Sequence, residues 1–305
     1  MLVTILSLNT WSTYGPYEHR WPCMISQLKT LKPDVLLLQE VTDSRLLDQI
    51  KKATPLLHCA HQVQAGLATV TRFPLIATEN VTYQSKSPLE NEIRGALVNT
   101  VQIGGKMILL ANTHLAWRAE DGGTRAQQVR ELLKYVQTKC LPAILAGDFN
   151  DVPESPAVEW ITRNAEFCDL FEHSRSPDRG ITWDNRNPYI QTHAAKGVRF
   201  PDRRIDYLFA SRNLAAARAL KRCEVVFRSS CRNGAFASDH YGVLAEMKIP
   251  DAVRGERLAL YEKSSVNSPY PSCSMASLGI NRSAAELMQY RWPVGAGPSS
   301  KTCPR

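Results

Sequence analysis

No stretch of the 305-residue chain approaches the ~18 consecutive apolar residues of a helical membrane span, so none is expected. The apolar start, Met1–Leu8, lacks a basic n-region and a small-residue cleavage site, and reads as a first β-strand rather than a signal peptide. The eight cysteines, at 23, 59, 140, 168, 223, 231, 273 and 303, form no Cys-x-x-Cys pair, which argues against a zinc site. They are also too sparse for a disulfide scaffold. Together these absences point to a reducing, cytoplasmic setting. There is no internal repeat, no continuous Lys/Arg run and no surplus of acid: 37 Lys and Arg face 29 Asp and Glu, a net charge of +8. That excess invites an acidic partner, whether nucleic acid, an anionic membrane surface or a phosphorylated small molecule. With 44% hydrophobic and 22% charged residues, the composition excludes a wholly disordered or collagen-like chain.

What is present falls into two parts. Residues 1–250 read as one folded domain, built of strand-length apolar runs broken by turn residues. Residues 251–305 hold nine Ser, five Pro and four Gly with no sustained period, and cannot bury enough apolar surface to offset the entropy of ordering. This tail is expected to be mostly disordered, with one short amphipathic piece at Ala284–Tyr290, and to serve as a solvated extension or a partner or targeting segment. In the body, strands are predicted at Val3–Leu8, Val35–Leu38, Leu67–Thr71, Gly95–Val101, Met107–Ala111, Ala143–Ala146, Ile205–Ala210 and Tyr241–Met247. Helices are predicted at Trp21–Leu31, Ser44–Lys52, Arg125–Thr138 and Pro156–Asn164. In the third, Val129, Leu132, Leu133 and Val136 recur at helical spacing. Some strands are followed by helices and others are adjacent, which predicts mixed sheets; the layer rule then stacks two sheets with helices outside.

The polar residues fall at the ends of these strands. Apolar runs stop at Asn9, at Gln39-Glu40, at Asn112-Thr-His114 and at Gly147-Asp-Phe-Asn150; Asp206 is embedded in an apolar run, and Ser238-Asp-His240 precedes another. Strand ends are where a rigid sheet fixes polar groups around a cleft. Four carboxylates, Glu40, Asp148, Asp206 and Asp239, would repel one another there unless a cation entered. Hard oxygen ligands without thiolates select magnesium, manganese or calcium over zinc. The amides of Asn9, Asn112 and Asn150 add donors and acceptors for phosphate oxygens and water, and His114 and His240 can supply a proton or a hydrogen bond. Such a set suits hydrolysis of a phosphate ester.

Asn9, Gln39-Glu40-Val41, Asn112-Thr-His-Leu115, Gly147-Asp-Phe-Asn150, Arg204-Ile-Asp-Tyr207 and Ser238-Asp-His240 resemble the ordered motifs of the endonuclease/exonuclease/phosphatase superfamily. The group includes deoxyribonuclease I, AP endonucleases, neutral sphingomyelinases and inositol polyphosphate 5-phosphatases. Any one motif is weak, but six in order over residues 1–249 form a strong signal. The resemblance implies an α/β fold, a four-layer sandwich of two mixed β-sheets packed face to face with helices on the outer faces. It also implies roles: Glu40 with Asn9 and Asp239 at a divalent metal, Mg2+ with Mn2+ as substitute; Asp148 orienting and deprotonating water; Asn150 holding that water or a phosphate oxygen; Asp206 pairing with His240; and His114 as general acid or phosphate donor. Asn9, Asn112, Asn150 and Arg204 are the expected phosphate-binding residues. Histidines 19, 58, 61, 173 and 193 are expected to be surface or packing residues.

The branch is less sharply drawn. Leu145-Ala-Gly-Asp-Phe-Asn-Asp151 lacks the tryptophan and arginine of the inositol 5-phosphatase motif, and His114 occupies a place where AP endonucleases usually lack histidine. Thr182-Trp-Asp184 resembles sphingomyelinase-like members and 5′-tyrosyl-DNA phosphodiesterases, while no long hydrophobic hairpin for lipid insertion is visible. Trp11, Tyr14, Tyr17, Trp21 and Trp117 offer flat surfaces for bases or caps for the sheet edges, and Arg199, Arg203 and Arg204 flank the Asp206 strand. The expectation is therefore a metal-dependent phosphodiesterase, a nuclease or end-processing enzyme of nucleic acid before a sphingomyelinase-like lipid hydrolase. A binding module that kept the fold without turnover is the alternative of another class.

Overall fold

The computed structural model describes residues 1–195, 197, 199–215 and 219–249. The 251–305 segment, with the disorder and the short amphipathic piece expected of it, lies outside these. The order of elements is β1 (Leu2–Asn9), α1 (Tyr17–Leu31), β2 (Val35–Gln39), α2 (Ser44–Ala53), β3 (His58–Gln62), β4 (Leu67–Thr71), β5 (Leu75–Thr82) and β6 (Gly95–Ile103). There follow β7 (Lys106–His114), α3 (Gly122–Thr138), β8 (Ala143–Asp148), α4 (Pro156–Asn164), β9 (Phe167–Asp169), α5 (Leu170–His173), α6 (Ile190–Ala195), β10 (Asp206–Ser211), β11 (Leu220–Val226) and β12 (Gly242–Lys248). Among the described residues no helix is long and apolar enough to cross a membrane.

The strands form two six-stranded mixed sheets, ordered β11-β12-β1-β2-β4-β3 and β5-β6-β7-β8-β10-β9. Each is centred on a parallel pair, β1 with β2 and β7 with β8, whose crossovers are α1 and α3. The flanking β12 and β10 run antiparallel to β1 and β8. Consequently the C-terminal ends of β1, β2, β7 and β8 and the N-terminal starts of β10 and β12 all lie at one end of the sandwich. All six motifs seen in the sequence are brought to that end by topology alone.

Period-2 alternation explains which side chains meet there. Val3, Ile5, Val35, Leu37, Ile108, Leu110, Ile144, Ala146, Leu208 and Val243 pack between the sheets. The alternate residues face outward: Leu6, Leu8, Leu36 and Leu38 against Met24 and Leu28 of α1 and Leu46, Leu47 and Ile50 of α2, and Leu109, Ala111 and Leu145 against Val129, Leu132 and Leu133 of α3 and Ile161 of α4. Both faces are covered, so these strands read as continuous apolar runs. Followed toward the motif end, the inner-face parity continues through Ser7 and Asn9, Gln39, Asn112 and His114, Asp148 and, at the start of β10, Asp206. The polar site is the last rung of the central core.

Two features tie the body together. Ile249 N–H donates to the Met1 carbonyl at 2.8 Å and Leu2 pairs with Lys248, so both ends of this body lie side by side, opposite the motif end. Cys23 of α1 and Cys231 form a disulfide across 208 residues of sequence. From sequence alone they look like separate thiols, and the bridge removes the cysteine-based ground for a reducing compartment.

Gly147 shows how tightly β7 and β8 are fitted. Its φ is +144°, and a Cβ there would sit 1.9 Å from the Thr113 carbonyl oxygen. Gly147→Ala is expected to lower stability by about 2–4 kcal/mol, read as a fall in the thermal or denaturant midpoint; an unchanged midpoint would show that the strands can part without loss.

Candidate active site

A cavity of about 820 Å3 opens at the motif end, and Glu40, His114, Asp148, Asn150, Asp239 and His240 all line it. At its centre is Asp148 Oδ2, the C-terminal residue of β8. Asn9 Nδ2 donates to that oxygen at 3.0 Å, His114 Nε2 lies 3.4 Å away and His240 Nε2 lies 3.7 Å away. The other oxygen, Oδ1, accepts the Asn150 backbone N–H at 2.9 Å. Asn150 and Glu40 both have left-handed backbone, φ +52° and +55°, conformations that turn the chain sharply off β8 and β2. For Asn this is tolerated; for Glu it is strain at a site residue.

The two histidines are held in opposite states. Burial disfavours the imidazolium of His240, but the carboxylates of Asp206, Asp148 and Asp239 outweigh it, and His240 sits well above the usual histidine pKa. Its Nδ1–H donates to Asp206 Oδ2 at 2.9 Å. His114 is pushed well below the ordinary value by burial, with the charges of Arg94 and His240 adding to the effect. Asp148 is raised to about 7, chiefly by burial and then by Asp206, against the pull of His240.

Glu40 is the other acidic focus. Burial and then the charge of Asp239 raise its carboxyl pKa, opposed by the hydrogen bond from Asn9 Nδ2, at 3.0 Å. A buried Glu40 carboxyl crowded by a second carboxylate, Asp239, on the same cavity makes a donor set for a hard divalent cation. Asn9 acts behind them: its Oδ1 accepts Trp11 N–H and its NH2 spans Glu40 and Asp148, so in this arrangement it clamps two carboxylates. Asp148, Asp206 and His240 also offer ligand atoms within 4.8 Å of one another. There, however, the imidazolium already occupies the space between the acids, which leaves Glu40 and Asp239 as the better-suited cation ligands.

Three expected phosphate-binding residues do not reach the cavity. Asn112 is wholly buried; it accepts from Gln39 Nε2 at 2.6 Å and donates to the carbonyls of Leu38 and Ala68, bridging the two sheets. Asn9 stands behind Glu40 and Asp148. Arg204 points away, paired with Asp169 at 2.6 Å and Glu172 at 2.7 Å. In its place the preceding residue, Arg203, lines the cavity. His193, expected to be surface or packing, also lines it and meets Asp239 Oδ2 at 2.8 Å.

Other contributors carry no motif. Arg20 is fully buried without a carboxylate partner among the described residues. Its guanidinium donates to the carbonyls of Thr10, Trp11, Ser12, Tyr14 and Ala237, fastening the loop after β1 to the segment that leads to Asp239. Arg125 pairs with Asp151 at 2.8 Å and fixes the turn after Asn150. Arg94, gripped by Glu90, and Trp117, whose N–H donates to the same carboxylate, complete one wall. Thr182 Oγ1 accepts the N–H groups of Ile205 and Asp206, and Trp183 meets His240 edge-on at 5.2 Å, which gives the Thr-Trp-Asp stretch its structural meaning.

The chain belongs to the endonuclease/exonuclease/phosphatase family, which matches residues 6–240. This is a family of divalent-metal-dependent, phosphoester-hydrolysing enzymes. Protein angel homolog 2 of Danio rerio is 27% identical over 168 residues, 48% of this chain and 30% of that protein. Carbon catabolite repressor protein 4 homolog 3 of Arabidopsis thaliana is 22% identical over 175 residues, 53% of this chain and 39% of the relative. The chain thus spans about a third of the length of these curated relatives. Among solved structures, D. rerio TDP2 complexed with single strand DNA product superposes with a TM-score of 0.66 at 21% identity, over 81% of this chain and 99% of that one. A beta toxin from Staphylococcus aureus gives 0.64 at 18% identity, over 81% and 100%. At such identities these two likenesses show the fold.

Two substitutions separate scaffold from ligand set. Asn112→Leu strands two buried carbonyls and the Gln39 amide and is expected to cost about 2–4 kcal/mol of stability, seen as a lower thermal midpoint. Glu40→Gln removes a charge that both burial and Asp239 disfavour. It is expected to raise the midpoint of the metal-free protein by about 2–4 °C and to abolish the rise that a divalent cation gives the parent; calorimetry in chelator and in Mg2+ checks both.

Proposed function

We propose that this chain is a Mg2+-dependent phosphodiesterase that acts on nucleic acid, with Mn2+ as a substitute metal. The observation that carries the proposal is the meeting of Glu40, Asp239, Asp148, Asn150, His114 and His240 on one cavity at the end of the sandwich. Glu40 and Asp239 would hold the metal, which would supply positive charge to offset that of the reacting phosphate. Asp148, with Asn150 beside it, orients a water toward phosphorus and takes its proton as the new P–O bond forms and the ester P–O bond breaks; the leaving oxygen is protonated from solvent. His240, fixed by Asp206, turns an N–H toward a non-bridging oxygen, where charge builds in the transition state. His114 donates a second hydrogen bond. Asn9 keeps Glu40 and Asp148 apart at a fixed spacing.

Nucleic acid is favoured by the walls. Tyr14 and Trp117 line the cavity, Arg118 stacks at 4.0 Å over Trp117, and the net charge is +8. Flat rings beside cations suit bases joined by phosphates. The single strand DNA product in the D. rerio TDP2 structure supports the same substrate class.

Asp148→Ala and His240→Ala are each expected to lower kcat/KM at least about 10^3-fold, and chelator to abolish cleavage until Mg2+ or Mn2+ is returned. The substrate is read from one panel: labelled single- and double-stranded DNA, RNA, a 5′-tyrosyl oligonucleotide, sphingomyelin vesicles and inositol phosphates. Cleavage of oligonucleotides with intact vesicles supports the proposal. Hydrolysis of sphingomyelin alone transfers the chemistry to lipid, and inertness toward the whole panel with both metals leaves a binding module.

A further inference from the structure

Arg203 is a cation in the cavity wall that pairs with no anion among the described residues. Its backbone is fixed independently of its side chain, because its N–H and C=O exchange hydrogen bonds with Trp183, each at 3.0 Å. The guanidinium stacks 3.7 Å over the Phe200 ring and lies 5.7 Å from Trp183. Its Nε is buried with no hydrogen-bond partner, and among the described residues Arg203 has no ion pair. The buried arginines are satisfied, whereas Arg203 is half-buried: Arg20 is held by carbonyls, Arg125 by Asp151 and Arg204 by Asp169 and Glu172. Arg94 also reaches the cavity, but Glu90 grips it through two bonds, at 2.7 and 3.2 Å. A desolvated N–H left unpaired is costly, so the fold does not hold this guanidinium as it holds the others. Burial draws the Arg203 pKa down to about 10, and the charge of Asp148 is the first of those pulling it back, so it stays cationic beside the residue proposed to orient the water.

We propose that Arg203 forms an anion subsite in this wall and takes a phosphate group of the substrate. Its terminal N–H groups donate to the non-bridging oxygens while Phe200 supports the face of the guanidinium. The subsite rests on the phosphoester function proposed above, and it assigns to Arg203 the role that the sequence suggested for Arg204. A planar fork is required, because two parallel donors fit a phosphate as a point charge does not.

Binding without turnover tests it. Two probes are used: a labelled, phosphorothioate-linked single-stranded oligodeoxynucleotide in Mg2+, followed by fluorescence anisotropy, and inorganic pyrophosphate in chelator, followed by thermal shift. Arg203→Gln is expected to weaken oligonucleotide binding about tenfold (~1.4 kcal/mol) and to reduce its salt-dependence slope by about 0.7–1. It is also expected to remove the stabilisation by pyrophosphate. If Arg203→Gln does not fold, Arg203→Lys decides, with a loss of about threefold or more expected for charge without the fork. Unchanged binding of both probes in a folded variant overturns the subsite, and the phosphodiesterase function stands if the parent still cleaves. Arg203-dependent pyrophosphate binding by a parent that cleaves nothing supports the subsite and overturns that function.

Discussion

The face-to-face packing of two sheets, each also covered by helices, is the constraint on which everything else in this protein depends. With both faces dry, every side chain on the central strands must be apolar or fully hydrogen-bonded. A polar group can remain unsatisfied by the fold only where the strands run out. The parallel pairs β1–β2 and β7–β8 aim four strand ends at one place, and antiparallel β10 and β12 begin there. The Gln39–Asn112 amide bridge closes the dry interior just below that level, and Asn9, Asp148, His114 and Asp206 lie at or above it. Reactivity is thus confined to a boundary that the hydrophobic core itself defines.

That boundary concentrates charge. Acids crowd Glu40 from one side and Asp148 from another, and the fold holds them with cations and amides of different kinds. Arg20 supplies fixed positive charge, every bond of which goes to backbone carbonyls. His240 supplies a positive group wedged between Asp206 and Asp148. Asn9 donates to two carboxylates at once. Strain is stored at the same place, in the left-handed backbone of Glu40. A divalent cation at Glu40 and Asp239 would relieve the remaining repulsion.

Much of this was legible in the sequence because a strand covered on both faces writes a continuous apolar run, and a polar interruption at its end is conspicuous. The eight predicted strands are the interior strands β1, β2, β4, β6, β7, β8, β10 and β12. The four that escaped, β3, β5, β9 and β11, are the four sheet edges. They are short or half-solvated, as in His58–Gln62 and Leu75–Thr82, and carry too few apolar residues to announce themselves. The same reasoning explains the site. Glu40, His114, Asp148, Asn150, Asp239 and His240 end strands or precede them and reach the cavity. Asn112 also ends a strand, but two residues short of His114 it is still inside the core. Arg203 and Arg204 are adjacent in sequence, and only the local backbone decides which faces the cavity. Arg20, Arg125 and His193 act from helices across long separations, and no local pattern reveals their partners.

Because Ile249 lies against Met1 at the edge of the β1–β12 pair, the covalent path of this body begins and ends at one spot, the length of the sandwich away from the cavity. The sheets do not need the chain to start where it does. A body of this kind can be spliced into a larger polypeptide, or have its ends joined and reopened at another surface loop, with little disturbance to the strand ends that carry the chemistry. Whatever covalent neighbours it has, its fold keeps their attachment point and its reactive cleft at opposite poles.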